Sequence, residues 1–162
     1  RKSCEHVVEV IAKKYPDCNI KTLRDCNFDQ LESVKAELNE EDFKRARYVL
    51  GEKERVLAVC DALERDDYAT VGQKMFETHE GLSKDYDVSC EELDYLNDIA
   101  KECGIAGSRI MGGGFGGCTI NLVEDALYDT FIQTACEKFA QKYGHAPEVI
   151  PIVIGQGSHK VC

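Results

Sequence analysis

The run Gly107-Ser108-Arg109-Ile110-Met111-Gly112-Gly113-Gly114-Phe115-Gly116-Gly117-Cys118-Thr119-Ile120-Asn121-Leu122-Val123 decides how this chain is read. Five of its 13 glycines crowd between two segments that read as short β-strands. Glycine loses more conformational freedom on folding than any other residue, so a cluster of five needs a reason. Either the backbone takes positive φ repeatedly, or something approaches it closely. A run of outward-facing backbone N–H groups makes an anion-binding concavity that side chains would obstruct. The stretch admits two readings: a loop that contacts phosphate, or an elaborate hairpin turn.

Context removes two familiar glycine motifs. Gly112-x-Gly114-x-x-Gly117 fits a dinucleotide-binding string, but that fingerprint requires a helix after the glycines. Here the next element, Cys118 to Val123, alternates and is rich in β-formers. The protein-kinase glycine loop does lie between strands, yet it needs a Val-Ala-Ile-Lys strand and a His-Arg-Asp loop. Neither string occurs.

Working outward, Val88-Ser89 predicts a helix start, with Ser89 as N-cap, Glu92 closing a capping box and Val88 stapled onto Leu93. Leu93, Leu96, Ile99, Ala100 and Cys103 form its buried face, and Gly104 follows as a C′ residue. Strands are predicted at Ala106–Met111 and Cys118–Val123. A helix over Asp125–Tyr143 turns Tyr128, Phe131, Ile132, Ala135 and Phe139 inward and stops at Gly144. A last strand is predicted at Val149–Ile154, where Pro151 favours an edge or a bulge.

Upstream of the loop the pattern is helical. Cys4, Val7, Val8, Ile11, Ala12 and Tyr15 share a face of a first helix that Pro16 ends. Ile20, Leu23 and Phe28 pack the following loop, and Asn27 with Gln30 predicts a capping box for a short helix to about Leu38. The longest helix, Glu41 to Glu64, carries the stripe Phe43, Ala46, Val49, Leu50, Val56, Leu57, Cys60, Leu63. Gly51 interrupts it at a cost of about 1 kcal/mol relative to alanine, so a bend or close packing is expected there. Asp66-Asp67 opens the next helix, with Tyr68, Val71, Gly72, Met75, His79 and Leu82 on its face. The sum is an α+β fold: a helical half, then an antiparallel sheet with helices packed on one face.

Composition excludes several function classes. A net charge of −10 is unsuited to nucleic acid or an anionic membrane surface. No apolar run approaches the roughly 18 residues of a membrane span. The nine cysteines are odd in number and contain no Cys-x-x-Cys, so free thiols in a reducing cytoplasm are expected, and no metal site. Most of them, including Cys60, Cys103 and Cys136, are expected to be buried. The chain does not begin with Met and no capping residue opens its first helix, which predicts a piece of a longer protein.

Individual polar residues are read against their surroundings. Alternate strand side chains face opposite ways, so only one of Ser108 and Arg109 points at a cleft. Ser108 is the site candidate, and Arg109 is expected to serve as an ion-pair partner. His79 lies on an apolar stripe and is expected to be a satisfied, partly buried histidine bracing the Asp85-Tyr86 turn. His6, His145 and His159 form no constellation. Asp66-Asp67 and Glu40-Glu41-Asp42 are helix N-terminal charges, favourable with the macrodipole.

The glycine run also resembles the third motif of galactokinases, in the GHMP superfamily of small-molecule kinases. Gly107-Ser108-Arg109, the glycine loop and Cys118-Thr119 carry the likeness. Met75, His79, Leu82, Asp85-Tyr86, Val88-Ser89 and Glu92-Leu93-Asp94 look like the segment that precedes that motif. Arg45-Ala46-Arg47-Tyr48-Val49 with Glu54-Arg55 is similar to the family's long central helix. The resemblance implies that residues 1–162 form the C-terminal domain, ferredoxin-like, of a two-domain kinase that phosphorylates galactose from ATP with Mg2+. It implies that Gly113, Gly114, Gly116 and Gly117 line the cleft near the transferred phosphate, with Gly112 setting the turn. Substituting Gly114 by Asp is then expected to cut turnover with little loss of fold.

The family's Gly-Arg-x-x-x-His-x-Asp-Tyr and serine-rich phosphate motifs, with its catalytic Asp and Arg, belong to the N-terminal half and are absent here. The chain is therefore expected to be inactive alone, with that N-terminal domain as its partner. A related kinase acting on N-acetylgalactosamine, or a non-catalytic ligand- or partner-binding module, are the alternatives.

Overall fold

Side-chain caps set three of the six α-helix starts among the described residues. The computed structural model describes residues 1–157. Helix α1 (Lys2–Lys14) is followed by single 3-10 turns and α2 (Phe28–Ser33), where Asn27 Oδ1 accepts the Gln30 N–H at 2.9 Å. Gln30 returns the bond by accepting the Asn27 N–H at 3.0 Å, so the predicted box is formed. A 3-10 turn over Lys35–Glu37 takes the place of the predicted end of that helix. In α3 (Glu40–Leu63) the cap is Asn39, and in α4 (Tyr68–Lys84) it is Asp67, accepting the Thr70 N–H at 3.0 Å. Helix α5 (Glu91–Glu102), strands β1 (Gly107–Met111) and β2 (Cys118–Leu122), and α6 (Tyr128–Tyr143) complete the order.

The strands pair antiparallel, from Gly107 opposite Leu122 to Met111 opposite Cys118. The glycine run therefore bridges the ends of one hairpin.

Apolar residues collect in two cores. The first joins α1, α2 and α3 through Val7, Ile11, Leu31, Val34, Ala46 and Leu50. The second joins α5 and α6 through Ile99, Ala100, Ile105, Phe131 and Ala135. Helix α4 lies between, packed on α3 and on β1. Its crossing with β1 is backbone to backbone. A Cβ at Gly72 would fall 1.8 Å from the Ala106 carbonyl oxygen, and one at Gly107 would fall 2.4 Å from the Gly72 Cα. Only glycine at both positions permits that approach.

Several expectations need correcting. Residues 149–154 form no strand and lie exposed; Pro151 has no N–H to give a ladder. The sheet is thus two-stranded among the described residues. Helix α3 runs unbroken through Gly51; of the two expectations there, close packing is met, since the nearest atoms to a Cβ would be those of the Arg55 guanidinium, from 3.1 Å. The first half of its stripe is core, but Val56, Leu57, Cys60 and Leu63 are exposed, because periodicity marks an apolar face without saying what covers it. Tyr68 on α4 is likewise exposed. Of the eight cysteines described, all are free and only Cys26 is buried. The N-cap of α5 is Cys90 with no side-chain cap, because the Ser89 hydroxyl is drawn to Asp94 instead.

Candidate functional site

The loop from Gly112 to Gly117 is an extreme piece of backbone. Gly112, Gly114, Gly116 and Gly117 have φ of 88°, 82°, 120° and 95°, and Phe115 between them has φ 60°. Positive φ explains four of the five glycines. Gly113 is outside that region, and a Cβ there would meet nothing within 4 Å. Nothing within the described chain requires glycine at position 113.

Among the described residues the loop is tied down at one point. The Phe115 N–H donates to the Val88 carbonyl at 2.7 Å. At the same place Gly114 presses on the connector between α4 and α5, where a Cβ would sit 2.1 Å from the Val88 oxygen. Gly114 is therefore required by the fold, and its replacement by Asp cannot leave the loop undisturbed. The N–H groups of Gly112, Gly113, Gly114, Gly116 and Gly117 have no backbone partner among the described residues. Met111 and Phe115, 52% and 78% exposed, form an apolar rim to these donors.

The three stretches singled out in the sequence converge behind the loop. Tyr48 of α3 meets Tyr86 with ring centroids 5.2 Å apart, and Arg47 pairs with Asp85 at 3.5 Å. Val88 N–H donates to the Leu82 carbonyl at 3.0 Å, closing the end of α4. Beyond it, Asp94 of α5 accepts from the Ser89 hydroxyl at 2.5 Å, the Ser83 hydroxyl at 2.9 Å and His79 Nε2 at 3.1 Å. Burial works against charge on Asp94, but these three bonds outweigh it and hold the carboxyl below its ordinary value. Burial pushes the His79 imidazole below its ordinary value, against the attraction of Asp94. His79 Nδ1 is buried without a partner among the described residues, as suits a neutral ring with its proton on Nε2. His79 thus braces α4 against α5 through Asp94, and not through the Asp85-Tyr86 turn.

The two polar strand residues have other places than expected. Ser108 is fully buried; its carbonyl accepts from Asn97 Nδ2 at 2.9 Å and its hydroxyl has no partner among the described residues. Arg109 makes no ion pair among the described residues and donates to the Ile110 carbonyl at 2.9 Å. Among the described residues no three His, Cys, Asp or Glu side chains converge as metal ligands. None of their helices is long and apolar enough to cross a membrane.

Residues 60–142, which hold α4 to α6 and the whole glycine hairpin, match the family described as GHMP kinases C terminal. The chain belongs to that family. It is 38% identical to the galactokinase of Fusobacterium nucleatum over 163 residues, covering 99% of this chain and 41% of that protein. It is 42% identical to the Homo sapiens galactokinase over 125 residues, 76% of this chain and 30% of that one. The fold matches the crystal structure of Lactococcus lactis galactokinase complexed with galactose, with a TM-score of 0.77 at 25% identity. That match covers 90% of this chain and 38% of the other. The chain thus spans about a third to two fifths of the length of these relatives, 30% to 41%.

Sequence reasoning found the loop and both stretches behind it. It missed the Asp94 hub and the Gly72–Gly107 crossing. The only signal for the crossing was a glycine inside a helical pattern, without a visible partner.

Proposed function

We propose that residues 1–162 are the C-terminal domain of a galactokinase. The parent would move the γ-phosphoryl group of ATP to the anomeric hydroxyl of galactose, giving galactose 1-phosphate and ADP. The sugar oxygen would form the new bond to phosphorus as the bond to ADP breaks, and the hydroxyl proton would pass to a base in the N-terminal half. The observation that carries this reading is Gly113. Its glycine is unexplained by backbone conformation or by packing within the chain, in a loop rich in unclaimed N–H groups. Room for a phosphate oxygen is the explanation that remains. Phosphoryl transfer relies on positioning and electrostatic stabilisation, which preorganised backbone donors supply.

In this reading Gly112, Gly113, Gly116 and Gly117 face the transferred phosphate, while Gly114 shapes the loop. Ser108, enclosed beneath the strand, supports the hairpin from below. Mg2+ would be held by the N-terminal half together with the nucleotide; it would neutralise charge on the phosphates there. That half would also cover Met111 and Phe115. The free cysteines fit a reducing cytoplasm.

The test is Gly113→Ala in the full-length parent. The added methyl meets no atom of this domain, so the unfolding midpoint stays put. Turnover falls about 100-fold, because the methyl fills the room for the phosphate oxygen and displaces it from its backbone donor, on the scale of losing one oxyanion contact. Normal turnover in that variant overturns the phosphate assignment.

A further inference from the structure

Among the described residues the loop has a single backbone hydrogen-bonded anchor, and the anchor is itself held by a network that the reaction does not call for. The Val88 carbonyl that receives the Phe115 N–H sits on the short connector between α4 and α5. The hairpin meets that carbonyl through the Phe115 N–H and the packed Gly114; where the carbonyl stands depends also on where the connector is pinned. Upstream, Val88 N–H is tied to the Leu82 carbonyl at the end of α4. Downstream, the next residue, Ser89, donates to Asp94 Oδ1 at 2.5 Å, a much shorter distance than the 3.4 Å to its alternative acceptor, the Cys90 carbonyl. Asp94 in turn is clamped to α4 by Ser83 and His79.

We propose that Asp94 is a positioning residue for the glycine loop. It fixes the Val88–Ser89 connector, and through the Val88 carbonyl it sets where the Phe115 amide and the flanking glycine donors stand. The functional part rests on the phosphate reading above; the anchoring part does not. The geometry explains why the carboxylate has taken the Ser89 hydroxyl from the helix cap. Capping α5 with Ser89 would stabilise the helix locally, whereas bonding to Asp94 fixes the loop support. A charge-assisted bond is roughly twice as strong as a neutral one, which favours the second arrangement.

The experiment has two readouts. In this chain, amide hydrogen exchange of Phe115 is compared in wild type, Ser89→Ala and Ser89→Thr, with Ile99 in the second core as the reference amide. Ser89→Ala raises Phe115 exchange about tenfold or more, the scale of a hydrogen bond to a charged group, and leaves Ile99 unchanged. Ser89→Thr, which keeps the hydroxyl, restores protection. Unchanged Phe115 exchange, or an equal rise at Ile99, overturns the anchor, whatever the protein phosphorylates.

In the full-length parent, Ser89→Ala lowers kcat about tenfold while KM for the sugar changes less than twofold, and Ser89→Thr recovers the rate. Loosened Phe115 exchange with an unaltered kcat overturns the functional half of the proposal. Gly113→Ala separates the two ideas: if it is fully active, the phosphate reading falls and the exchange result still stands on its own.

Discussion

Replacing Gly72 by Ala is the sharpest test of the packing. In most helix interiors this change is favourable, by about 1 kcal/mol, because alanine loses less conformational entropy. Here the new Cβ would lie 1.8 Å from the Ala106 carbonyl oxygen and 2.3 Å from its carbon. That is about 1.6 Å short of the distance at which ordinary contact begins, 3.4 Å. Both obstructing atoms are backbone, so no rotamer change relieves the clash; α4 and β1 must separate. Overpacking of this kind costs about 1–3 kcal/mol, and a backbone clash belongs at or above the upper end. Subtracting the helix gain leaves a net loss of about 2 kcal/mol. For a chain of this size the loss lowers Tm by about 4–8 °C.

Gly51→Ala is the internal control. Its methyl would meet only the far end of Arg55, at 3.1 Å, which a flexible side chain relieves. That variant is expected to match wild type or exceed it by up to about 1 kcal/mol. Thermal and urea unfolding followed by circular dichroism report both. A Gly72→Ala protein as stable as wild type would refute the backbone crossing.

Three further outcomes are expected. Asn27→Ala removes the side-chain acceptor of the α2 capping box, leaving the backbone N–H bond to Gln30, and costs about 1 kcal/mol in urea unfolding; a loss below about 0.3 kcal/mol means the side-chain cap adds nothing. Because burial holds His79 below its ordinary value, the unfolded chain takes up a proton before the folded one as pH falls. The contribution of His79 is therefore complete above about pH 6.5 and declines as pH drops through the depressed folded value. Urea midpoints from pH 7 to 5 should fall in wild type and fall less in His79→Gln; equal slopes would remove His79 as the source. Asp94 follows the same sign at lower pH: its stabilisation is present above the ordinary carboxylate range and is lost on acidification through its depressed value. Asp94→Asn should weaken the part of acid unfolding that lies below about pH 4, measured by circular dichroism.

What was legible in the sequence was local. Asn27 with Gln30, Asp67 before Thr70, and Gly144 after α6 each carry their structural reason within four residues. The loop, too, announced itself by composition. What was illegible depended on residues far apart in the chain. Ser89 has the local grammar of an N-cap, yet its hydroxyl went to Asp94, five residues on, which His79 and Ser83 of α4 hold in place. Gly72 reads as a weak point in α4 until Gly107, a strand away, is seen to press on it. Val56, Leu57 and Leu63 have the periodicity of core residues, and only the folded chain puts them on the outside. Ser108 was the reverse case, a site candidate whose side chain is enclosed.

The division into two cores has a consequence for how the domain tolerates change. The first core, built from α1 to α3, lies before residue 51, outside the stretch that matches the family; the second lies inside it with the loop. The loop's anchor, Val88, and the Asp94 hub are both on the second side. Substitutions at Ile11 or Leu31 can therefore erode the domain's overall endurance while leaving the loop's shape intact in every molecule that remains folded. The helical front reaches the loop's support through α3, by Tyr48 on Tyr86 and Arg47 with Asp85, so its own core can drift in sequence provided that line of contact is kept.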